Sequence, residues 1–283
     1  MTYAYSLLLL LGLSACKTSQ SPRSEAKATE APAETAEIQA RDAAPTPVVV
    51  DFRETCRDTQ ASEATRLTID KLLQIAEVKD CDAAWEKLLQ LKELDLTSAE
   101  LTDIGPLSKL VQLEQLSLSF NHVADLRPLM NLKNLNELFL GDNDIKDIAP
   151  LAVLGQLKTL DLGHNQIVDV QALREMPRLE WLDLSENQIK SITPLERLQK
   201  IWFLSLANNQ VTDIDVLRQH QLLEEVYLQN NMIKDLSALQ SAKQLLGLDV
   251  TANPLGQSVR KSPENCPNSQ QVGNALKEFC GQR

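Results

Sequence analysis

The sequence predicts an α/β solenoid, a stack of about eight short repeats that is closed by a helical cap at each end. Two observations lead to this prediction. Seven asparagines stand 22 residues apart without a break, and leucine and isoleucine recur at fixed positions around each of them. A period of this length is typical of stacked units, because no single unit can bury its apolar face alone. The asparagines are Asn121, Asn143, Asn165, Asn187, Asn209, Asn231 and Asn253.

The repeat frame is clearest between Leu135 and Leu154, where it reads LxxLxLxxNxIxDIxPLxxL. This is the pattern of a leucine-rich repeat, and it predicts a horseshoe with a parallel β-sheet on its concave face. Leucines at positions 1, 4 and 6 point inward from a short strand. The asparagine at position 9 can pair with backbone groups that the turn leaves open, so stacked repeats form a ladder. The repeats begin at Leu91, Leu113, Leu135, Leu157, Leu179, Ile201, Leu223 and Leu245.

The second half of each repeat returns along the convex side of the horseshoe. Prolines recur there at one position of the frame, at Pro106, Pro128, Pro150 and Pro194. Because proline disfavours the interior of an α-helix, we expect extended or short 3₁₀ segments on this side.

Residues 1–16 have the features of a secretion signal, since they are uncharged, apolar and end in Leu-Ser-Ala-Cys. That tetrad resembles the lipobox of bacterial lipoproteins, in which the signal is removed and the cysteine is acylated. The resemblance implies that Cys16 is the lipidation site, which anchors the chain to a membrane of the cell envelope. Lys17 after the cysteine implies the outer membrane, and the periplasmic or surface orientation stays open. Residues 17–50 are rich in Ala, Glu, Thr, Ser and Pro and should form a disordered tether.

Helical caps are expected at residues 51–90, before the repeats of 91–258, and at residues 259–283 after them. In the first cap, apolar residues recur at helical spacing between Ile69 and Leu88, and Thr68 and Asp80 can start helices. In the second cap, the helical face consists of Val272, Leu276 and Phe279.

Four cysteines flank the repeats and none lies inside them. Because an eight-stranded stack keeps the two flanking pairs far apart, the expected disulfides are Cys56 with Cys81 and Cys266 with Cys280. A zinc site is not favoured, since the chain has no CxxC pair.

The candidate binding residues occupy positions 2, 3, 5, 7 and 8 of the repeat, which packing does not dictate. Position 3 places Trp181 beside Phe203, and position 5 places Asp161 beside Asp183. Aromatic side chains among carboxylates have the composition of protein-binding hot spots. The alternative is that the rings only stabilise the sheet by cross-strand packing. All six aromatic residues of the repeats lie at these positions: Phe120, Phe139, Trp181, Trp202, Phe203 and Tyr227.

The charge and the motifs of the chain exclude several classes of function. With a formal net charge of −11, the protein should not bind nucleic acid. No phosphate-binding loop, GxSxG or HExxH motif is present, so we expect neither an enzyme nor a cofactor. His122, His164 and His220 are scattered and are expected to be solvated. Neighbouring carboxylates leave calcium binding open, although no EF-hand spacing occurs.

The 22-residue repeats with their IxDIxPLxxL return limb resemble the internalin-type leucine-rich repeats of bacterial surface proteins, from Leu91 to about Leu255. The resemblance implies a module that binds a protein ligand on its concave face, at Phe139, Trp181, Phe203, Tyr227 and their acidic neighbours. We expect this module to be non-enzymatic and monomeric. Two alternatives remain open: a structural or spacer protein of the envelope, and glycan binding through the same aromatic residues.

Overall fold

The computed structural model describes residues 46–255 of the chain. The predicted signal with Cys16, most of the tether, the Cys266–Cys280 bond and the second cap lie outside the described residues.

Three α-helices precede the repeats, and each of them begins at a polar capping residue that accepts a backbone hydrogen bond within the first turn. Helix α1 comprises Phe52–Arg57, α2 comprises Glu63–Ala76 and α3 comprises Cys81–Leu88. Asp80 caps α3 as predicted, whereas the prediction that a helix starts at Thr68 is wrong. Helix α2 begins six residues earlier, after Ser62, because the Ser62 hydroxyl accepts the N–H of Thr65. Thr68 is buried inside α2.

The helical cap covers the open end of the core. Phe52 of α1 stacks on Trp85 of α3 with ring centroids 5.6 Å apart, and both rings join the apolar core that continues to Leu94. The disulfide between Cys56 and Cys81 links the same two helices, which confirms that prediction. Such a cross-link stabilises mainly by restricting the unfolded chain.

Eight parallel strands follow in chain order and form a single sheet, as predicted. Each strand has three residues and pairs with the next at a register of one repeat. The strands are β1 Glu93–Asp95, β2 Gln115–Ser117, β3 Glu137–Phe139, β4 Thr159–Asp161, β5 Trp181–Asp183, β6 Phe203–Ser205, β7 Glu225–Tyr227 and β8 Gly247–Asp249.

The return limbs contain short 3₁₀ helices, which confirms the prediction from the prolines. The recurring aspartate of the IxDI segment explains where these helices begin, since Asp147 accepts the N–H of Ala149, two residues on, at 2.8 Å. Other repeats use the same contact, for example Asp169 with Gln171. The 3₁₀ helices are Gly105–Leu107, Arg127–Asn131, Ala149–Val153, Gln171–Glu175, Thr193–Arg197, Asp215–Gln219 and Ser237–Ser241.

The asparagines at position 9 connect successive repeats through hydrogen bonds. The side-chain oxygen of Asn187 accepts the N–H of Ile167, and its nitrogen donates to the carbonyl of Leu162, both in the preceding repeat. Its nitrogen also contacts the carbonyls of Leu184 and Ser185 in its own repeat. The same contacts to the preceding repeat recur from Asn121 to Asn253. The ladder therefore satisfies buried backbone groups that the turn would otherwise leave unpaired.

Candidate binding face

The concave face of the sheet presents the side chains at positions 3 and 5 of each repeat. The leucine or valine between them, at position 4, points into the core and is buried in every strand. Most of the flanking side chains are half-buried. This alternation follows from the pleat of a strand, in which successive side chains point to opposite faces.

Four aromatic side chains form one cluster on this face, which we call the aromatic cluster: Trp181, Trp202, Phe203 and Tyr227. Trp181 and Phe203 are register partners on β5 and β6, and their rings stack with centroids 4.7 Å apart and an interplanar angle of 10°. Tyr227, on the strand that follows Phe203, has its ring centroid 5.7 Å from that of Phe203, and the two ring planes make an angle of 48°. Trp202 contacts Phe203 edge-on at 6.0 Å and is more than one-third exposed. The cluster therefore spans three neighbouring strands.

The other two predicted aromatic residues stand apart from the aromatic cluster. Phe139 is on β3, where its register partner is Asp161 of β4. Phe120 is at position 8, beyond the end of β2, and is 58% exposed. It adopts a left-handed backbone with φ of 58°, as does every residue at position 8 from Ser98 to Ala252. This conformation comes from the turn after the strand and was not predicted.

Carboxylates lie on the strands of the aromatic cluster and on the adjoining strand β8, and no lysine or arginine stands among them at positions 2, 3 and 5. Within residues 46–255 these carboxylates form no ion pair. The phenol of Tyr227 donates to Glu225, and burial together with this carboxylate raises the pKa of Tyr227. The result is an aromatic surface with negative charge that is not compensated. The carboxylates are Glu180, Asp183, Glu224, Glu225 and Asp249.

A second acidic feature adjoins the cluster and is formed by Asp161, Asp183, Gly141 and Gly163; we call it the acidic notch. Asp161 and Asp183 are register partners on β4 and β5. Asp161 accepts the N–H of Gly163 at 2.9 Å. A Cβ atom at Gly141 would stand only 2.8 Å from Oδ2 of Asp161. The carboxylate of Asp161 therefore packs against the backbone of the neighbouring repeat, in the space that the missing side chain of Gly141 leaves.

Burial raises the pKa of Asp161 to about 6, and repulsion from Asp183 and Asp142 adds to this effect. The hydrogen bond from Gly163 and the nearby His164 act in the opposite direction. The negative charge of Asp161 is therefore poorly compensated at neutral pH.

A polar groove of about 440 Å³ runs along the rim next to the sheet. Two histidines line this groove. Nδ1 of His122 lies 3.5 Å from Oδ2 of Asp144, and Nδ1 of His164 lies 3.6 Å from Oε2 of Glu186. Both histidines are exposed, as expected. Among residues 46–255 there is no group of three or more histidine, cysteine or acidic side chains that could hold a metal ion.

The prediction that His220 is solvated is wrong. Its side chain is 1% exposed, and its ring nitrogens lie 3.1 Å from the carbonyl oxygen of Val216 and 2.9 Å from that of Leu195. Burial lowers the pKa of His220, although both carbonyl contacts oppose this shift. His220 takes position 20 of its repeat, where Leu154 and Leu198 are buried in theirs. The register of the repeat was therefore enough to place it in the core.

The repeats and the sheet define the class of this protein. A family model described as leucine-rich repeat matches residues 155–211, and a second model, described as two copies of the repeat, matches residues 89–131, 133–175 and 203–241. The chain belongs to the leucine-rich repeat family.

Two bacterial proteins of known structure are similar to the chain. Internalin C2 of Listeria monocytogenes has 29% sequence identity and a TM-score of 0.66, over 81% of this chain and 96% of the internalin. A leucine-rich repeat protein of Leptospira interrogans has 27% identity and a TM-score of 0.59, over 70% of this chain and 49% of its own.

The third structure shows only that the fold is shared. It is the ectodomain of a receptor kinase of Arabidopsis thaliana in complex with Casparian strip integrity factor 2, with 23% identity and a TM-score of 0.58. The match covers 67% of this chain and 24% of the plant chain. A comparison with curated protein sequences finds no significant match. In the described part of the chain, no helix has the length and apolar character required to span a membrane.

Proposed function

We propose that the chain is a non-enzymatic binding module that recognises a protein ligand on its concave face and is held in a bacterial cell envelope by a lipid on Cys16. The aromatic cluster is the observation that supports this function most directly. Aromatic side chains that stack across strands present a rigid, apolar surface, and their ordering on binding costs little entropy. Protein-binding hot spots are enriched in tryptophan and tyrosine for these reasons.

The similar structures support the same proposal. Internalin C2 and the Leptospira protein are bacterial leucine-rich repeat proteins, which fits a secreted or surface protein. The plant ectodomain was solved with a bound partner, which illustrates the use of this fold for recognition. The proposed lipid anchor rests on the lipobox that ends at Cys16, and the proposed outer-membrane location rests on Lys17.

Crosslinking in intact bacterial cells tests the proposal. A photoreactive amino acid is placed at Lys158, an exposed position 2 on the concave side, and a matched one at Val168, which is 53% exposed beyond the bend. We expect a specific protein to be captured from position 158 and not from position 168. The double substitution Trp181→Ala and Phe203→Ala should abolish this capture in a chain that still folds.

The alternative function, a structural or spacer protein, predicts a different outcome for the same variant. The stack between Trp181 and Phe203 also stabilises neighbouring strands. If the double variant only lowers the melting temperature, and capture from position 158 is the same as from position 168, the rings serve the sheet and the binding proposal is wrong. Soluble envelope polysaccharide, added as a competitor, distinguishes a glycan ligand from a protein.

A further inference from the structure

We propose that the acidic notch and the adjoining face of Trp181 form a subsite for a cationic side chain, a lysine or an arginine of the protein ligand. This inference rests on the proposed function, because it specifies which chemistry the concave face recognises in its partner.

The first argument is the face of the Trp181 ring that is turned away from Phe203. One face of the indole is covered by Phe203 at 4.7 Å. The register partner on the other side is Thr159, whose side chain is short, and no other aromatic ring of residues 46–255 packs there. A tryptophan face is the preferred aromatic partner of a guanidinium or ammonium group.

The second argument is the position of the carboxylates. Asp161 and Asp183 lie at position 5 of β4 and β5, the strands that carry Thr159 and Trp181 at position 3. A cation on the face of Trp181 opposite Phe203 would therefore have carboxylates two residues away on the same two strands. Phe139, the register partner of Asp161 on β3, offers apolar contact for the aliphatic part of a lysine or arginine.

The third argument is the electrostatics of the free protein. The carboxylate of Asp161 lies close to the backbone of the sheet because Gly141 leaves it space, and burial together with Asp183 disfavours its charge. The five carboxylates at positions 2, 3 and 5 beside the aromatic cluster have no cationic partner within residues 46–255. A cation supplied by the ligand would compensate this charge, whereas an anionic or neutral segment would not.

A metal ion fits the notch less well than an organic cation. Calcium takes six to eight oxygen ligands, and only two carboxylates meet here, each with an oxygen that already accepts a backbone N–H. These donors are Gly163 for Asp161 and Ser185 for Asp183. A guanidinium or ammonium group, which also uses the ring face, is satisfied by this arrangement.

Binding of two matched peptides to the full chain tests the inference. The probe is acetyl-Gly-Arg-Gly-Arg-Gly-amide, and its control contains citrulline, which has nearly the same shape without the charge. The indole N–H signal of Trp181 in nuclear magnetic resonance spectra reports occupancy of the site. We expect the arginine peptide to bind about tenfold more tightly than the citrulline peptide, with affinity that falls as salt is added.

Substitutions then locate the site. Asp183→Asn leaves the rings in place and should weaken binding of the arginine peptide about fivefold. Trp181→Ala should do the same, and because this variant lacks the indole signal its binding is measured by isothermal titration calorimetry, with the wild type measured in the same way. Glu175→Gln is the matched control, because it changes the net charge equally at an exposed position on the convex side. Equal affinity for the two peptides, or an equal effect of Glu175→Gln and Asp183→Asn, would overturn the inference.

The same peptides separate this inference from the proposed function. Capture of a protein from position 158 that the arginine peptide does not compete for refutes the cationic subsite and leaves the binding function standing. Specific binding of the arginine peptide without capture of any protein in cells supports the subsite and refutes the proposed function.

Discussion

The absent side chain of Gly141 provides the space in which the carboxylate of Asp161 lies. A Cβ atom at residue 141 would stand 2.8 Å from Oδ2 and 3.2 Å from the other two carboxyl atoms of Asp161. The requirement for glycine is thus a close approach between neighbouring repeats.

We expect Gly141→Ala to lower the free energy of unfolding by about 1–2 kcal/mol, since the Asp161 carboxylate has to move out of its place. Urea unfolding measures this loss. In the double variant with Asp161→Ala the loss should largely disappear, because the clashing atoms are gone. Gly247→Ala is the control, as its added Cβ would meet Glu225 at an ordinary 3.4 Å. Equal losses at the two glycines would contradict this explanation.

The raised pKa of Asp161 predicts how stability depends on pH. Because this pKa is about 6 in the folded chain against an ordinary 3.8, the folded chain retains a proton that the unfolded chain has released between these values. The contribution of Asp161 to stability therefore falls as the pH rises from 3.8 to about 6, and it stays unfavourable above that range. The difference in pKa corresponds to about 3 kcal/mol, of which solvent screening leaves roughly half.

Asp161→Asn should accordingly stabilise the chain by about 1–2 kcal/mol at pH 7, and the gain should vanish towards pH 4. Urea unfolding of both proteins over this range tests the sign. A gain of equal size at pH 4 and pH 7 would assign the effect to packing and not to the ionisation of Asp161.

The asparagine ladder predicts a large effect for Asn187→Ala. Removal of the amide leaves the N–H of Ile167 and the carbonyl of Leu162 without the side-chain partner that they have in the buried stack. We expect a loss of about 3 kcal/mol in the free energy of unfolding. The matched variant is Asn253→Ala, at the last asparagine of the series, which is only partly buried and should cost less. A similar cost at both positions would mean that burial does not control the contribution of the ladder.

The period of the sequence is sufficient to predict contacts that depend only on the repeat. Residues at the same position of successive repeats become register partners, so Trp181 beside Phe203 and Asp161 beside Asp183 follow from counting. The stacking of the two rings is a further consequence of a strand spacing of about 4.8 Å.

Features that depend on unlike neighbours could not be predicted in this way. The packing of the Asp161 carboxylate against the sheet requires a glycine in the preceding repeat, at a different position of the repeat frame. The 22-residue period does not predict that Gly141 and Asp161 are in contact. Likewise, the choice of Ser62 over Thr68 as the start of α2 depends on packing of the cap, where Thr68 donates a hydrogen bond to the carbonyl of Asp103.

His220 supports a last prediction, in which acid destabilises the chain through a single core position. The neutral imidazole carries one N–H and can donate to the carbonyl of Val216 or of Leu195, while burial disfavours the charged form and lowers the pKa below 6.5. As the pH falls below 6.5, the unfolded chain takes up a proton that the folded chain resists, so stability is lost.

The substitution His220→Leu restores the residue that Leu198 provides one repeat earlier, at the same position 20. We expect the variant and the wild type to agree in stability within about 1 kcal/mol at pH 7.5, because leucine fills the site. At pH 5 the variant should be the more stable protein, because it has no imidazole to protonate. The reverse change, Leu198→His, should steepen the loss of stability in acid. If wild type and His220→Leu gave parallel profiles in urea unfolding from pH 5 to 7.5, protonation of His220 would not be the cause of the acid sensitivity.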